Sequence, residues 1–96
     1  MTLYLDQGEF KPNLIETSAL LGGVQYKFKF DNNYGASVIK HFGSYGHEAD
    51  LWELAVLKFD ESGDWHLCYN TPITDDVIGS LTDSEVRDIL QKIKEL

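Results

Sequence analysis

The chain of 96 residues is poor in several residue types, and each shortage excludes a class of protein. A single cysteine, Cys68, excludes an internal disulfide, and one cysteine with three histidines argues against a structural zinc site. No apolar run approaches the ~20 residues of a membrane-spanning helix, so no membrane insertion is expected. The first six residues contain no Lys or Arg, which argues against a signal peptide and favours a cytoplasmic location.

Basic residues are also scarce: eight against sixteen acidic ones give a net charge of −8. Direct binding to nucleic acid or anionic lipid needs a basic face, so neither is expected. The apolar content is ordinary, at 43% hydrophobic and 12% aromatic residues, which excludes a disordered chain. The length predicts one domain over residues 1–96. Within it, the residue pattern predicts an N-terminal segment (1–23), a β-meander (24–70) and a short turn plus C-terminal helix (74–96).

Four strands are predicted from hydrophobic alternation and turn residues, over 24–30, 36–42, 51–59 and 65–69. The first alternates apolar residues with Gln25, Lys27 and Lys29, so one of its faces is expected to be wet. The third is apolar on both sides, so both of its faces are expected to be at least partly covered. A four-stranded sheet has two edges, and self-association is conceivable; Lys27, Lys29 and Lys40 lie on strands that could be edges, where charge opposes pairing.

The strongest local signal is a capping box formed by Thr82 and Glu85, followed by apolar residues at helical spacing. It predicts a helix over 83–95. Before it, Thr74 or Asp75 could cap a single turn over 76–78 that Gly79 closes. Residues 2–5 could form a short strand, and residues 14–21 a short helix or an irregular segment. The predicted fold is α+β: a four-stranded antiparallel meander with a C-terminal amphipathic helix packed on one face and an irregular N-terminal segment.

Known catalytic signatures are absent from the sequence, which has no G-x-S-x-G, no Walker lysine motif and no H-E-x-x-H. Cys68 shares a strand face with His66, but nothing in the sequence would lower its thiol pKa. His47, Glu48 and Asp50 could hold a metal with help from Asp64 or His66, although such clusters are common in acidic loops. We therefore predict no catalytic residue, no metal and no cofactor.

Acidic residues are concentrated in the second half, with eight acids and one base between residues 60 and 88. This pattern indicates either plain solubility or a surface that docks on a basic partner. The predicted binding residues of this acidic surface are Asp60, Glu61, Asp64, Asp75 and Asp76.

Three aromatic residues in or beside glycine-bearing loops form a second candidate surface: Tyr34, Tyr45 and Trp52. Loop aromatics are good interface anchors, because large rigid rings gain much contact area. They could equally fold back to fill the core of a small domain.

Four segments have a familiar order and spacing: NYGASVI (33–39), SYG (44–46), LWELAVL (51–57) and YNTPITDDVIG (69–79). Together they resemble a family of small hypothetical proteins encoded by tailed bacteriophages and prophages, over roughly residues 24–96. The resemblance implies expression in the bacterial host cytoplasm and a role in modulating a host protein or defence system. It transfers no functional residue.

These observations favour a non-enzymatic phage accessory protein that acts by binding a host or phage protein. Two alternatives stay open. The first is an acidic nucleic-acid mimic that blocks a DNA- or RNA-binding groove. The second is a small-ligand or metal-binding protein that uses the loop over residues 43–50.

Overall fold

The computed structural model describes residues 2–41, 44, 49–74 and 77–96. After a short 3₁₀ helix at Gly8–Asn13, the chain forms six strands and one helix. These are β1 (Leu14–Leu20), β2 (Gly23–Lys29), β3 (Tyr34–Lys40), β4 (Trp52–Phe59), β5 (Trp65–Leu67), β6 (Ile78–Leu81) and α1 (Asp83–Lys94).

All strand pairs are antiparallel, and the sheet order is β1-β2-β3-β4-β5. Strand β3 occupies one edge of β4 over residues 53–58. The other edge is divided: β5 pairs with residues 57–59, and β6 pairs with Trp52 and Leu54. The α+β class with a C-terminal helix is confirmed, whereas the predicted count of four strands is too low.

The two unpredicted strands lack the alternation that a half-buried strand shows. In β1 most side chains are exposed, and an irregularity between Leu14 and Glu16 breaks the period of two. The prediction of a helix or irregular segment over 14–21 is therefore wrong. The single turn closed by Gly79 is also wrong in its described part, because Ile78–Leu81 pairs with β4; residues 75 and 76 lie outside the described residues. Residues 2–5 form no strand.

Helix α1 begins at the predicted capping box. The Thr82 hydroxyl accepts from the Glu85 N–H at 3.2 Å, and the Glu85 carboxylate accepts from the Thr82 N–H at 3.0 Å. Its apolar stripe, Val86, Leu90 and Ile93, is fully buried in the main core. The same cluster contains side chains from the sheet: Tyr26, Phe28, Leu54 and Val56. The prediction that the helix packs on one face of the sheet is confirmed, and we call that face the helix face.

The opposite face of the sheet, called the outer face, carries a smaller apolar layer. Leu57 and Phe59 point to it and are almost fully buried. Gly35 makes this packing possible, because a Cβ there would lie 2.8 Å from a Phe59 ring carbon and 2.0 Å from the Phe28 carbonyl oxygen. The ammonium of Lys29 lies 5.7 Å from the Phe59 ring centroid, so a lysine stem covers part of this layer.

The lysines that were considered as edge protection lie on internal strands. Lys27 and Lys29 belong to β2, and Lys40 belongs to β3, so none of them faces a sheet edge. The edges are β1 on one side and β5 with β6 on the other. Within the part of the chain that the structure describes, no helix is long and apolar enough to cross a membrane.

Residues 2–6, called the strap, cross the end of the sheet next to the start of α1. Leu5 is fully buried in the core. Side chains of the body bind the strap backbone at six points. They are Thr2 N–H to Asp50, Thr2 C=O to Lys40 (2.8 Å), Leu3 C=O to the Tyr26 hydroxyl (2.8 Å), Leu5 N–H to the same hydroxyl (3.3 Å), Asp6 N–H to Asp83 (3.1 Å) and Asp6 C=O to Arg87 (2.9 Å).

Candidate interaction surface

The acidic turn between β4 and β5 is built by one of its own carboxylates. Asp60 Oδ1 accepts hydrogen bonds from the Ser62 hydroxyl (2.6 Å), the Ser62 N–H (3.0 Å) and the Asp64 N–H (3.1 Å). The Ser62 hydroxyl bond is the main cause that holds the pKa of Asp60 below its ordinary value. Gly63 completes the turn with a φ of +89°, in the left-handed region that glycine tolerates. Asp60 therefore stabilises the turn.

The other two acids of this turn face solvent. Glu61 and Asp64 are exposed, and Asp64 also accepts a bond from the Ser62 hydroxyl at 3.2 Å. The predicted residues Asp75 and Asp76 lie outside the described residues. Of the predicted acidic surface, the structure thus brings together only the three carboxylates of the β4–β5 turn.

Three large side chains follow directly after this turn and remain accessible: Trp65, Leu67 and Tyr69, each 42–44% exposed. Trp65 pairs with Phe59 and Leu67 with Leu57, which places both on the outer face. We call Glu61, Asp64, Trp65, Leu67 and Tyr69 the hairpin surface.

The exposed indole is contacted by a lysine of β2, a strand that is not adjacent to β5 but reaches it across the outer face. The Lys27 ammonium lies 4.5 Å from the Trp65 ring centroid and 3.1 Å from the Glu16 carboxylate. A ring fixed in this way loses little conformational freedom when it is buried by a partner. The sequence reasoning missed these anchors, because alternation of Trp65, Leu67 and Tyr69 is also typical of a buried strand face. Their position on a short strand beside a charged turn was the available signal.

Trp52, which was predicted as an exposed anchor, is fully buried, and that prediction is wrong. Its ring packs edge-to-face on Tyr26 with centroids 5.7 Å apart, and the Lys40 ammonium lies 4.1 Å from its centroid. Its indole N–H donates to Asp83 Oδ1 at 2.7 Å. Trp52 therefore joins the sheet to the first turn of α1 and cannot contact a partner.

Tyr34, the other predicted aromatic among the described residues, does not lie at the hairpin surface. Tyr34 is half-buried on the helix face, where the Lys58 ammonium lies 4.0 Å from its ring centroid. Tyr45 lies outside the described residues. Tyr34 and Trp65 are thus on opposite faces of the sheet.

The described residues considered for chemistry have other hydrogen-bond partners or differ in exposure. Cys68 is buried in the core and its thiol donates to Asn70 Oδ1 at 3.0 Å, whereas His66 is exposed. Asp50 binds Thr2 and Lys40, and these hydrogen bonds hold the pKa of its carboxyl far below the ordinary value. His47 and Glu48 are outside the described residues. In residues 2–41, 44, 49–74 and 77–96, no three His, Cys, Asp or Glu side chains converge as a metal site would require.

One open groove of about 370 Å³ lies between α1 and the segment before β6. Its lining includes the apolar side chains of Ile73, Ile78 and Ile89 and the charged side chains of Lys92 and Glu95. These two charges are of opposite sign, so together they offer no net charge to select a ligand.

Comparison of the chain with protein-family models, curated proteins and solved structures finds no match.

Proposed function

We propose that the chain is a non-enzymatic binding module whose hairpin surface docks on a basic protein surface. The observation that carries the proposal is the placement of Trp65, Leu67 and Tyr69 directly beside the acidic β4–β5 turn. The resemblance to bacteriophage proteins implies that this partner is a host or phage protein.

The hairpin surface combines two elements that interfaces use. Tryptophan and tyrosine are enriched among the residues that dominate binding energy, because their large rings exclude water from neighbouring contacts. Glu61 and Asp64 lie at the border of these rings, where charges mainly accelerate association with an oppositely charged surface. A partner with an apolar pocket bordered by Lys or Arg would match both.

The proposal is tested by capturing partners from bacterial lysate and measuring the affinity of the captured protein for variants. Trp65→Ala should weaken binding by roughly 30-fold or more, as the loss of an anchor does. Tyr4→Ala is the matched control, because Tyr4 is 66% exposed but lies on the strap. Equal effects of the two variants would contradict the hairpin surface.

The acidic part is tested by Glu61→Lys, with Glu9→Lys as the control for the same change of charge at another exposed site. Glu61→Lys should slow association and reduce its dependence on salt, because exposed charges are screened over ~8 Å at physiological ionic strength. Glu9→Lys should change the rate much less. Competition by DNA or RNA for the same partner site would instead favour the nucleic-acid mimic.

A further inference from the structure

Strand β1 forms the long open edge of the sheet. It has seven residues against three in β5, and among the described residues only β2 pairs with it. An edge strand presents unpaired N–H and C=O groups that another strand can bind. Most of its side chains are exposed, including Ile15 at 54%.

The devices that usually protect an edge are missing from the second part of β1. Residues 16–20 contain no lysine and no proline, and the irregularity of pairing is confined to the start of the strand. The single charge, Glu16, is neutralised by Lys27 of β2 at 3.1 Å. In a chain of net charge −8, this edge is a neutral stripe.

We propose that β1 pairs antiparallel with β1 of a second copy, around a two-fold axis at Ser18. This register places Ser18 opposite Ser18 of the second copy and Glu16 opposite Leu20. The two Glu16 residues are then about 14 Å apart along the strands, beyond the ~8 Å screening length, so their repulsion is weak.

The same register brings together two exposed apolar residues at each end of the strand pair. Ile15 of one copy lies beside the β1–β2 turn of the other, whose first residue, Leu21, is 71% exposed in the single chain. Leu21 also has a φ of +46°, in the left-handed region that a leucine adopts only at a cost. An exposed leucine in a turn position that favours asparagine gains nothing in the monomer. Burial of the Leu21 side chain in a dimer would explain why a leucine occupies this position.

A second copy fits this edge better than the basic partner of the hairpin surface. The neutral stripe has no free acid for Lys or Arg to meet, but it matches an identical neutral stripe. Because β1 and β5 lie at opposite ends of the sheet, pairing through β1 leaves the hairpin surface of each copy open. The dimer would therefore present two hairpin surfaces.

The test is sedimentation equilibrium over rising protein concentration, with Ser18→Lys, Ser18→Glu and their equimolar mixture. Like charges directly opposite each other destabilise a strand pair, so each variant alone should associate at least 10-fold more weakly than the wild type. The mixture should recover association, because the introduced charges are then opposite in sign. Recovery excludes a simple folding defect as the cause. Ser84→Lys, the same substitution at an exposed position in the first turn of α1, is the control and should associate as the wild type does.

Two further measurements make the inference falsifiable. Higher salt should strengthen self-association, since it screens the repulsion between two chains of net charge −8. Leu21→Asn should weaken association while raising the melting temperature of the monomer. A wild type that stays monomeric at millimolar concentration, Ser18 variants that associate unchanged, or a mixture that does not recover would overturn the proposal. None of these results depends on the hairpin surface.

Discussion

Replacing the buried tryptophan by phenylalanine separates a structural role from a binding role at residue 52. Trp52→Phe keeps an aromatic ring beside Tyr26 and Lys40 but removes the indole N–H that donates to Asp83 at 2.7 Å. If Trp52 were an exposed anchor, the substitution would leave stability unchanged and weaken partner binding. Full burial predicts the opposite.

The expected loss of stability has two parts. A hydrogen bond to a charged group contributes about 1.5–3 kcal/mol, and the lower end applies because Asp83 is half-buried and can be solvated. The smaller ring buries about 50 Å² less, which adds about 1 kcal/mol at 25 cal/mol per Å². The sum is about 2.5 kcal/mol. It corresponds to a fall in melting temperature of about 10–20 °C for a domain of this size.

The assay is urea unfolding with matched fluorescence quenching. Trp65→Phe is the control: its ring is 42% exposed, so it should cost less than about 1 kcal/mol. Acrylamide should quench Trp65 in the Trp52→Phe variant and leave Trp52 protected in the Trp65→Phe variant. A double-mutant cycle with Asp83→Ala should return a coupling of about 1.5 kcal/mol. Equal costs of the two tryptophan substitutions would refute the reasoning.

Two other predictions concern the ends of α1 and the strap. Thr82→Ala should destabilise the protein by about 1 kcal/mol in urea unfolding, because the Glu85 N–H loses its cap; no loss would contradict the capping box. Hydrogen bonds from Thr2 and Lys40 lower the pKa of Asp50 below 3.8, so the folded state binds its proton less readily than the unfolded state. The stabilisation by Asp50 is therefore present above pH 3.8 and is lost as the pH falls through the folded pKa. Thermal melts between pH 2 and 6 should show a shallower acid slope for Asp50→Asn, and an unchanged slope would refute this.

The parts of the fold that could be predicted are those where local chemistry and burial agree. The capping box at Thr82 and the apolar spacing of Val86, Leu90 and Ile93 are local signals that identify α1 in the sequence, and the burial of that stripe agrees with them. The alternation of β2 correctly predicts its buried face, but the other face is half-buried and not wet as predicted, since the Lys27 side chain is only 12% exposed. Strands β1 and β6 could not be predicted, because they form by pairing with β2 and β4 while most of their side chains stay partly or fully exposed.

The acidic residues of the candidate site could be predicted from the sequence, but its exposed aromatic residues could not. The acidic turn can be predicted from the sequence because Asp60 and Gly63 are typical turn residues. Trp52 lies on a strand that is apolar on both sides and Trp65 on one that alternates, but neither pattern alone shows which ring is covered. Helix α1 covers the face that contains Trp52, and among the described elements no helix covers the face that contains Trp65.

The strap also has a consequence for the lifetime of the native state. Gln7 binds the Leu5 C=O locally, and the six other side-chain bonds to the strap backbone come from residues 21 to 81 positions away, from Tyr26 to Arg87. Contacts that close such long loops form late in folding, so they are weak or absent in the folding transition state. Loss of a late contact accelerates unfolding and leaves the folding rate nearly unchanged. We therefore expect the strap to slow unfolding, and with it the proteolysis of the core, while leaving the folding rate nearly unchanged.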